Sequence, residues 1–275
     1  MPITRRALLA ALPLLSFDSC PIRAGAVELE GNLTHGGLVF GQAKPGSRVS
    51  MDSAAIPVAA DGRFLLGFGR DATPKALLKI KESGGKSEIR ELAIAQRNYD
   101  IQRIDGLPPD KVEPDEAALK RIAQEQTRIN AAKDRNSAEP FYLAGFDWPA
   151  IGPISGVYGS QRILNGEPRR PHFGVDVAAP VGTPINAPAG GIVSLADSDL
   201  FFTGGTVILD HGHGLSSIFA HMQALAVKEG DRLAPGVAIG ALGATGRVTG
   251  PHLHWGIYLL RTPLDPQLLV PPMPA

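Results

Sequence analysis

The sequence predicts a mainly β protein in which antiparallel strands form a small sandwich and a larger second domain. Glycine (32 residues) and proline (24 residues) together make about a fifth of the 275-residue chain, which indicates many turns. Short runs rich in valine, isoleucine and leucine lie between these turns. Strand-like and helical patterns do not alternate, so we do not expect a doubly wound parallel sheet.

The charge balance and the cysteine count exclude several classes of partner and of metal site. Basic side chains (27) equal acidic ones (27), so no net charge attracts the chain to nucleic acid, and we expect no nucleic-acid partner. The single cysteine excludes an internal disulfide framework and a zinc cluster built on thiolates. A metal site in this chain would therefore use histidine and carboxylate ligands.

The amino-terminal residues 1–26 are typical of a signal peptide. Arg5 and Arg6 precede an apolar run at 7–17, and small residues at 24–26 fit a cleavage site. The run is shorter than the roughly 20 residues that a membrane-spanning helix needs. We expect export to the periplasm or cell envelope, by either the Sec or the twin-arginine route, with membrane attachment only if Cys20 carries a lipid.

Residues 27–107 are predicted to form a small immunoglobulin-like β-sandwich. Apolar runs at 37–40, 48–51, 64–66 and 77–81 alternate with turn signals, and Asp61-Gly62 is typical of a hairpin turn. No catalytic spacing occurs here, and His35 is interpreted as an exposed or turn residue. Spacing, docking and regulation all remain open as roles for this domain.

Residues 108–140 are predicted to form a helical linker. Pro114 is placed at the first helical position, with acidic residues in the first turn, where the helix dipole favours them. Leu119, Ile122 and Ile129 form a narrow apolar stripe, which we expect to pack on a neighbouring domain. A coiled-coil partner helix is disfavoured because the stripe lasts barely two heptads.

Residues 141–275 are predicted to form an antiparallel β domain that holds most of the histidines. Strand patterns recur at 191–194, 206–209 and 255–259, and six of the seven histidines fall between positions 172 and 254. His211 and His213 sit among glycines, so a turn role is favoured over metal binding for both. The remaining four histidines, His172, His221, His252 and His254, are therefore the candidate functional residues.

The spacing of these histidines is compatible with a metal site. His252 and His254 are two apart, so a strand places both on one face about 7 Å apart. His172 and Asp176 would lie about 13 Å apart in an extended strand, so shared ligation needs a bend, which Gly174 permits. Two polar residues on a wet sheet face remain the alternative for the His-x-His pair.

One aspartate and two imidazoles make a nitrogen and oxygen ligand set that suits Zn²⁺ with one position open. Such a zinc ion activates water and polarises a carbonyl, which is the chemistry of amide hydrolysis. Hydrolysis also needs a proton carrier, and His221 and His252 titrate in the right range. The residues therefore predict a metallohydrolase site.

Residues from about 148 to 266 resemble the lysostaphin/LytM-type zinc metalloendopeptidases, which cleave peptide bonds in peptidoglycan. The resemblance rests on GVYGS at 156–160, HFGVD at 172–176, APVGTP at 179–184, FAHM at 219–222 and GRVTGPHLH at 246–254. It implies that His172, Asp176 and His254 bind zinc and that His221 and His252 line the open coordination position. It also implies an antiparallel β fold with a groove over the metal.

The sequence therefore predicts an exported zinc metalloendopeptidase acting on peptidoglycan stem peptides or cross-links. The alternative is a catalytically silent envelope module that binds peptidoglycan or activates another cell-wall hydrolase. A protein protease and a latent enzyme covered by its amino-terminal part also remain open. Arg162, Arg169 and Arg170 precede the first predicted ligand; they are solvated loop charges, or one of them receives a substrate carboxylate.

Overall fold

The computed structural model describes residues 27–274 and confirms the mainly β class. The predicted signal peptide at 1–26, including Cys20, lies outside the described residues. Within residues 27–274, no helix is both long enough and apolar enough to cross a membrane.

The secondary structure comprises many short strands and one long helix. In the amino-terminal part the strands are β1 (Glu28–Gly31), β2 (Leu38–Gln42), β3 (Arg48–Met51), β4 (Ala54–Ile56), β5 (Arg63–Gly67), β6 (Lys75–Lys81), β7 (Ser87–Ala93) and β8 (Ile101–Ile104). The α-helices are α1 (Pro109–Val112) and α2 (Glu116–Lys133), and 3₁₀ helices occur at Phe141–Ala144 and Pro266–Leu268. The remaining strands are β9 (Ile154–Gly156), β10 (Gln161–Leu164), β11 (Glu167–Pro168), β12 (Val175–Ala178), β13 (Pro184–Asn186), β14 (Gly191–Leu200), β15 (Gly204–Gly212), β16 (Leu215–Leu225), β17 (Arg232–Leu233), β18 (Ala238–Leu242), β19 (His252–Leu259) and β20 (Thr262–Leu264).

Two small antiparallel sheets make up the amino-terminal unit. One has the strand order β1-β2-β5 and the other β4-β3-β6-β7. Alternation along β6 turns Leu78 and Ile80 inward, where they meet Phe64 and Leu66 in a shared core. Asp61-Gly62 does lie in a short hairpin turn, because the Ala59 N–H donates to the Arg63 carbonyl at 2.8 Å and Val58 pairs antiparallel with Phe64. The longer strands on either side join different sheets, since β4 pairs with β3 and β5 pairs with β2.

Strand β8 pairs outside these two sheets. It runs parallel to β10, with Arg162 opposite Gln102, whereas the sequence placed all residues up to 107 in the sandwich. Strand β11 pairs with the other edge of β10. The segment that leaves the sandwich therefore supports the hairpin that leads to His172.

Helix α2 begins two residues later than expected, at Glu116 rather than Pro114. Asp115 is the N-cap, since its carboxylate accepts the Ala118 N–H at 2.8 Å, so Pro114 precedes the helix. The prediction that the apolar stripe packs throughout was wrong for Leu119, which is 54% exposed. Ile129 does pack on the strands of the second domain.

The largest sheet has the strand order β17-β14-β15-β16-β19-β12-β9, with β13, β18 and β20 attached beside it. Alternate residues of β19 face opposite sides, and Trp255 and Ile257 enter the main core. His254 and Tyr258 face the other side, where the Lys133 Nζ lies 3.3 Å from the centre of the Tyr258 ring. Helix α2 therefore packs on the same sheet face that presents His254.

The sandwich docks on the second domain through both apolar and charged contacts. Leu38 and Leu65 reach the core of the large sheet. Arg97 donates to the Asp265 Oδ2 at 2.7 Å, and the Asp265 side chain is 2% exposed. A partly buried ion pair thus joins the two units.

Candidate metal centre

Three neighbouring strands bring Asp176 to the centre of the candidate site. Asp176 on β12 lies directly opposite His254 on β19 and opposite Gly156 on β9. A Cβ atom at position 156 would collide with the Asp176 Oδ2. The absence of a side chain at Gly156 therefore gives the carboxylate its space.

His172 reaches the site because the chain bends before β12. The backbone N–H of His172 donates to the Ser160 carbonyl at 2.9 Å, which holds the segment in place. A Cβ atom at position 174 would lie 2.5 Å from the Trp255 carbonyl oxygen and 2.6 Å from the His254 Cε1. The predicted bend at Gly174 is thus present, and it brings this backbone against β19.

The three predicted ligands converge. His172 Nε2, Asp176 Oδ1 and His254 Nδ1 lie 2.9 Å from one another in each pair. Ligand atoms of a tetrahedral zinc ion with bonds of about 2.1 Å are separated by about 3.4 Å. The three donors therefore have the right chemistry and have to move apart by about 0.5 Å from their 2.9 Å spacing to hold such an ion. Over residues 27–274 this is the one group of three or more such side chains close enough to share a metal ion.

Backbone carbonyls fix the orientation of the neighbouring imidazoles. The Nδ1 atoms of His172, His221 and His252 donate to the carbonyls of Val157 (3.1 Å), Thr245 (2.9 Å) and Gly250 (2.9 Å), respectively. Each Nε2 then carries the lone pair in the neutral ring. This arrangement suits a ligand role for His172 and a proton-accepting role for the other two.

The protonation states at neutral pH also suit metal binding. Burial opposes ionisation of Asp176, but the neighbouring His172 and His254 imidazoles outweigh it and hold the carboxyl pKa well below its usual range. Burial lowers the pKa of His254 to about 4, although Asp176 acts in the opposite direction. An ionised carboxylate and a neutral imidazole are the forms that bind a metal ion.

His221 and His252 lie side by side next to the three converging residues. Their ring centres are 4.8 Å apart, and the His252 Nε2 is 3.9 Å from the Asp176 Oδ1. Burial, with help from His252 and His254, lowers the pKa of His221 to about 3. The His221 backbone has φ +66°, an unusual conformation for a residue with a side chain and one that is often found at functional sites.

Arg162 contacts the site through a partner that the sequence did not predict, since it was expected to be a solvated loop charge or to receive a substrate carboxylate. One of its guanidinium nitrogens donates to the Asp176 Oδ2 at 2.8 Å. Arg169 instead donates to the backbone carbonyls of Pro168 and Val112, and Arg170 is exposed. The position of Arg162 close to the GVYGS stretch was the available signal, but its partner depends on how the strands assemble.

The two histidines set aside in the sequence lie away from this cluster. His211 is a buried residue of β15 rather than a turn residue. Its ring nitrogens form hydrogen bonds with the Gly190 carbonyl at 2.6 Å and with the Ser217 hydroxyl at 2.8 Å. His213 occupies the turn before β16 with φ +52°. Neither belongs to the group that could share a metal ion.

Comparison with known proteins gives a family match for the part of the chain that holds the converging residues. The model of peptidase family M23 matches residues 170–266. The DD-carboxypeptidase/endopeptidase Mpg of Neisseria meningitidis is 37% identical over 105 residues, which cover 38% of this chain and 24% of the relative. The peptidoglycan DD-endopeptidase ShyC of Vibrio cholerae is 45% identical over 84 residues, covering 30% of this chain and 19% of the relative. The chain therefore spans at most about a quarter of the length of these two relatives.

A solved structure extends the similarity to the rest of the chain. A Pseudomonas aeruginosa crystal structure assigned to peptidase M23 superposes with a TM-score of 0.65 at 29% identity, covering 86% of this chain and 94% of that one. The similarity in fold thus reaches well beyond the matched domain. Residues 170–266, which hold the converging His172, Asp176 and His254, form a domain of peptidase family M23.

Proposed function

We propose that this chain is an exported zinc metalloendopeptidase that hydrolyses peptide bonds in peptidoglycan stem peptides or cross-links. The convergence of His172, Asp176 and His254 within a peptidase-family domain is the observation that carries the proposal. One relative of this domain is named a DD-carboxypeptidase/endopeptidase and another a peptidoglycan DD-endopeptidase, which supports the substrate class.

The ligand set proposed for Zn²⁺ is His172 Nε2, Asp176 Oδ1 and His254 Nδ1. Three donors of this kind leave one coordination position open, as in catalytic zinc sites. When bound, zinc supplies a Lewis acid for a carbonyl and lowers the pKa of a water to about 7.

His221 and His252 are proposed as the catalytic residues that move protons. With their Nδ1 atoms committed to the carbonyls of Thr245 and Gly250, both present Nε2 to a reacting group. One imidazole takes a proton from the attacking water at Nε2. To stabilise the oxyanion or to donate a proton to the leaving amine, the other imidazole has to carry a proton on Nε2 as well as on Nδ1.

A group of arginines beside the site suits a substrate that carries carboxylates. Burial, followed by the charges of Arg162 and Arg169, lowers the pKa of Arg247 to about 10, so positive charge gathers here. Arg162 already pairs with Asp176, which leaves Arg169 and Arg170 as the candidates for a stem-peptide carboxylate. Unchanged cleavage after replacing each with alanine would remove this part of the proposal.

The proposed organisation follows the sequence. Residues 1–26 would direct export to the periplasm or cell envelope, with a membrane anchor only if Cys20 is lipidated. A segment at 27–107 that contains the sandwich and strand β8, the helical linker (108–140) and the catalytic domain (141–275) would follow. Peptidoglycan peptides are the proposed partner, and no nucleic acid is involved.

Incubation of the zinc-loaded chain with purified peptidoglycan, followed by mass analysis of released peptides, tests the proposal. His172→Ala and His254→Ala should lose both zinc and cleavage. His221→Ala should keep zinc and lose rate, so full activity of that variant would contradict its assignment. Bound zinc without turnover would favour the silent envelope module, and faster cleavage of casein than of cell-wall peptides would favour a protein protease.

A further inference from the structure

The two oxygens of the Asp176 carboxylate have separate surroundings. Oδ1 faces His172 and His254 at 2.9 Å each. Oδ2 faces the Arg162 guanidinium at 2.8 Å, on the side where Gly156 leaves space. One oxygen is thus directed at the candidate metal position and the other is held away from it.

Arg162 is mostly buried, and burial of a charged guanidinium is costly. The side chain of Arg162 is 22% exposed and that of Asp176 is 7% exposed. The Arg162 Nε is buried without a hydrogen-bond partner among the described residues. A partly buried ion pair is weak support for stability on its own, so its presence beside three converging ligands calls for another explanation.

We propose that Arg162 is a positioning residue of the metal centre, which holds the Asp176 Oδ2 so that Oδ1 alone faces the metal. Bound ligand carboxylates commonly depend on such outer hydrogen bonds for orientation. Without Arg162, the buried Oδ2 would lose its partner, and the carboxylate would be free to rotate. This inference rests on the proposed function, because it assumes that the site binds zinc.

Arg162 is held next to Asp176 by strands that precede the family match at 170–266 in the sequence. It lies on β10, which pairs with β8 on one edge and β11 on the other. The backbone N–H of Arg169 donates to the Arg162 carbonyl at 2.9 Å. Strand β8 and the β10–β11 hairpin therefore complete a metal centre whose three ligands all lie within the matched domain.

The test is zinc affinity of the full chain after EDTA treatment, measured by competition with a chromophoric chelator. Arg162→Met keeps an apolar stem and removes the donors, and we expect it to weaken zinc binding by about 10- to 100-fold. Arg162→Lys, which retains one charged donor, should recover part of the loss. Arg103→Met, which removes an exposed arginine of the adjacent strand β8, is the matched control and should bind zinc like the parent chain.

The outcomes separate this inference from the proposed function. If the parent chain binds no zinc, the proposed function fails. If the parent binds zinc and Arg162→Met binds it within threefold or more tightly, the positioning role is overturned. The melting temperature of the metal-free protein provides the structural readout: weaker zinc binding at an unchanged metal-free melting temperature supports positioning. If Arg162→Met does lower that temperature, the comparison with Arg162→Lys decides between a positioning and a purely structural role. Equal zinc affinities of the Lys and Met variants would then count against the proposal.

Discussion

A methyl group at position 174 should disrupt the candidate metal centre although none of the three ligand residues is replaced. In Gly174→Ala the new Cβ would lie 2.5 Å from the Trp255 carbonyl oxygen and 2.6 Å from the His254 Cε1. Ordinary contacts begin near 3.4 Å, so the segment before β12 and strand β19 must separate by about 0.9 Å, the difference between 3.4 and 2.5 Å. Metal sites tolerate errors of only about 0.2 Å in ligand distance. The displaced ring of His254 would then no longer meet the other two ligands.

We expect Gly174→Ala to lower the free energy of unfolding of the metal-free chain by about 1–3 kcal/mol, the usual cost of overpacking. Zinc affinity should fall by roughly tenfold or more, because the ligand set is no longer preformed. Urea unfolding and chelator competition measure the two effects. Gly84→Ala is the control, since a Cβ there meets nothing within 4 Å. Parent-like values for Gly174→Ala in both measurements would refute the steric reasoning.

Two further predictions concern stability. Arg97→Ala leaves the Asp265 carboxylate, which is 2% exposed, without its ion-pair partner and should lower the free energy of unfolding in urea by about 3 kcal/mol. Arg63→Ala, which removes an exposed pair with Asp61, should cost less than about 1 kcal/mol, so equal losses would contradict the role of burial. Burial lowers the pKa of His211 from 6.5 to about 4, so the unfolded chain takes up a proton in this window that the folded chain does not. His211 alone should therefore contribute about 3 kcal/mol to the loss of stability as the pH drops from 6.5 to 4, in addition to the contributions of His221 and His254. Urea titrations of a His211→Gln variant that show the same pH slope as the parent chain would count against this explanation.

The sequence predicted those features of the site that depend on local spacing and on matching motifs. Period-two alternation places His252 and His254 on one face of β19, and Gly174 permits the bend that brings His172 to Asp176. Strand positions such as β3 and β19 were also near their predicted ranges because alternating or continuous apolar runs identify buried strands.

Features that depend on which strands become neighbours were not predictable in this way. Arg162 meets Asp176 because β8 pairs with β10, and this parallel pairing leaves no local pattern in the sequence. The turn at Gly62 is a short hairpin, as its composition predicts, but the sequence does not reveal that the strands on either side join different sheets. Leu119 fits the apolar stripe of α2 but extends beyond the surface on which Ile129 packs.

The parallel pairing of β8 with β10 has a practical consequence for dissecting this chain. A fragment beginning at Phe141 would leave the outer edge of β10 without its neighbour and remove the support of the segment that carries Arg162. An exposed strand edge also invites association between molecules. Slow hydrolysis by such a fragment would thus reflect a damaged site. Only hydrolysis faster than that of the full chain would indicate that the removed amino-terminal part had covered the site. A shortened protein suitable for measuring inhibition by the sandwich has to begin ahead of Ile101.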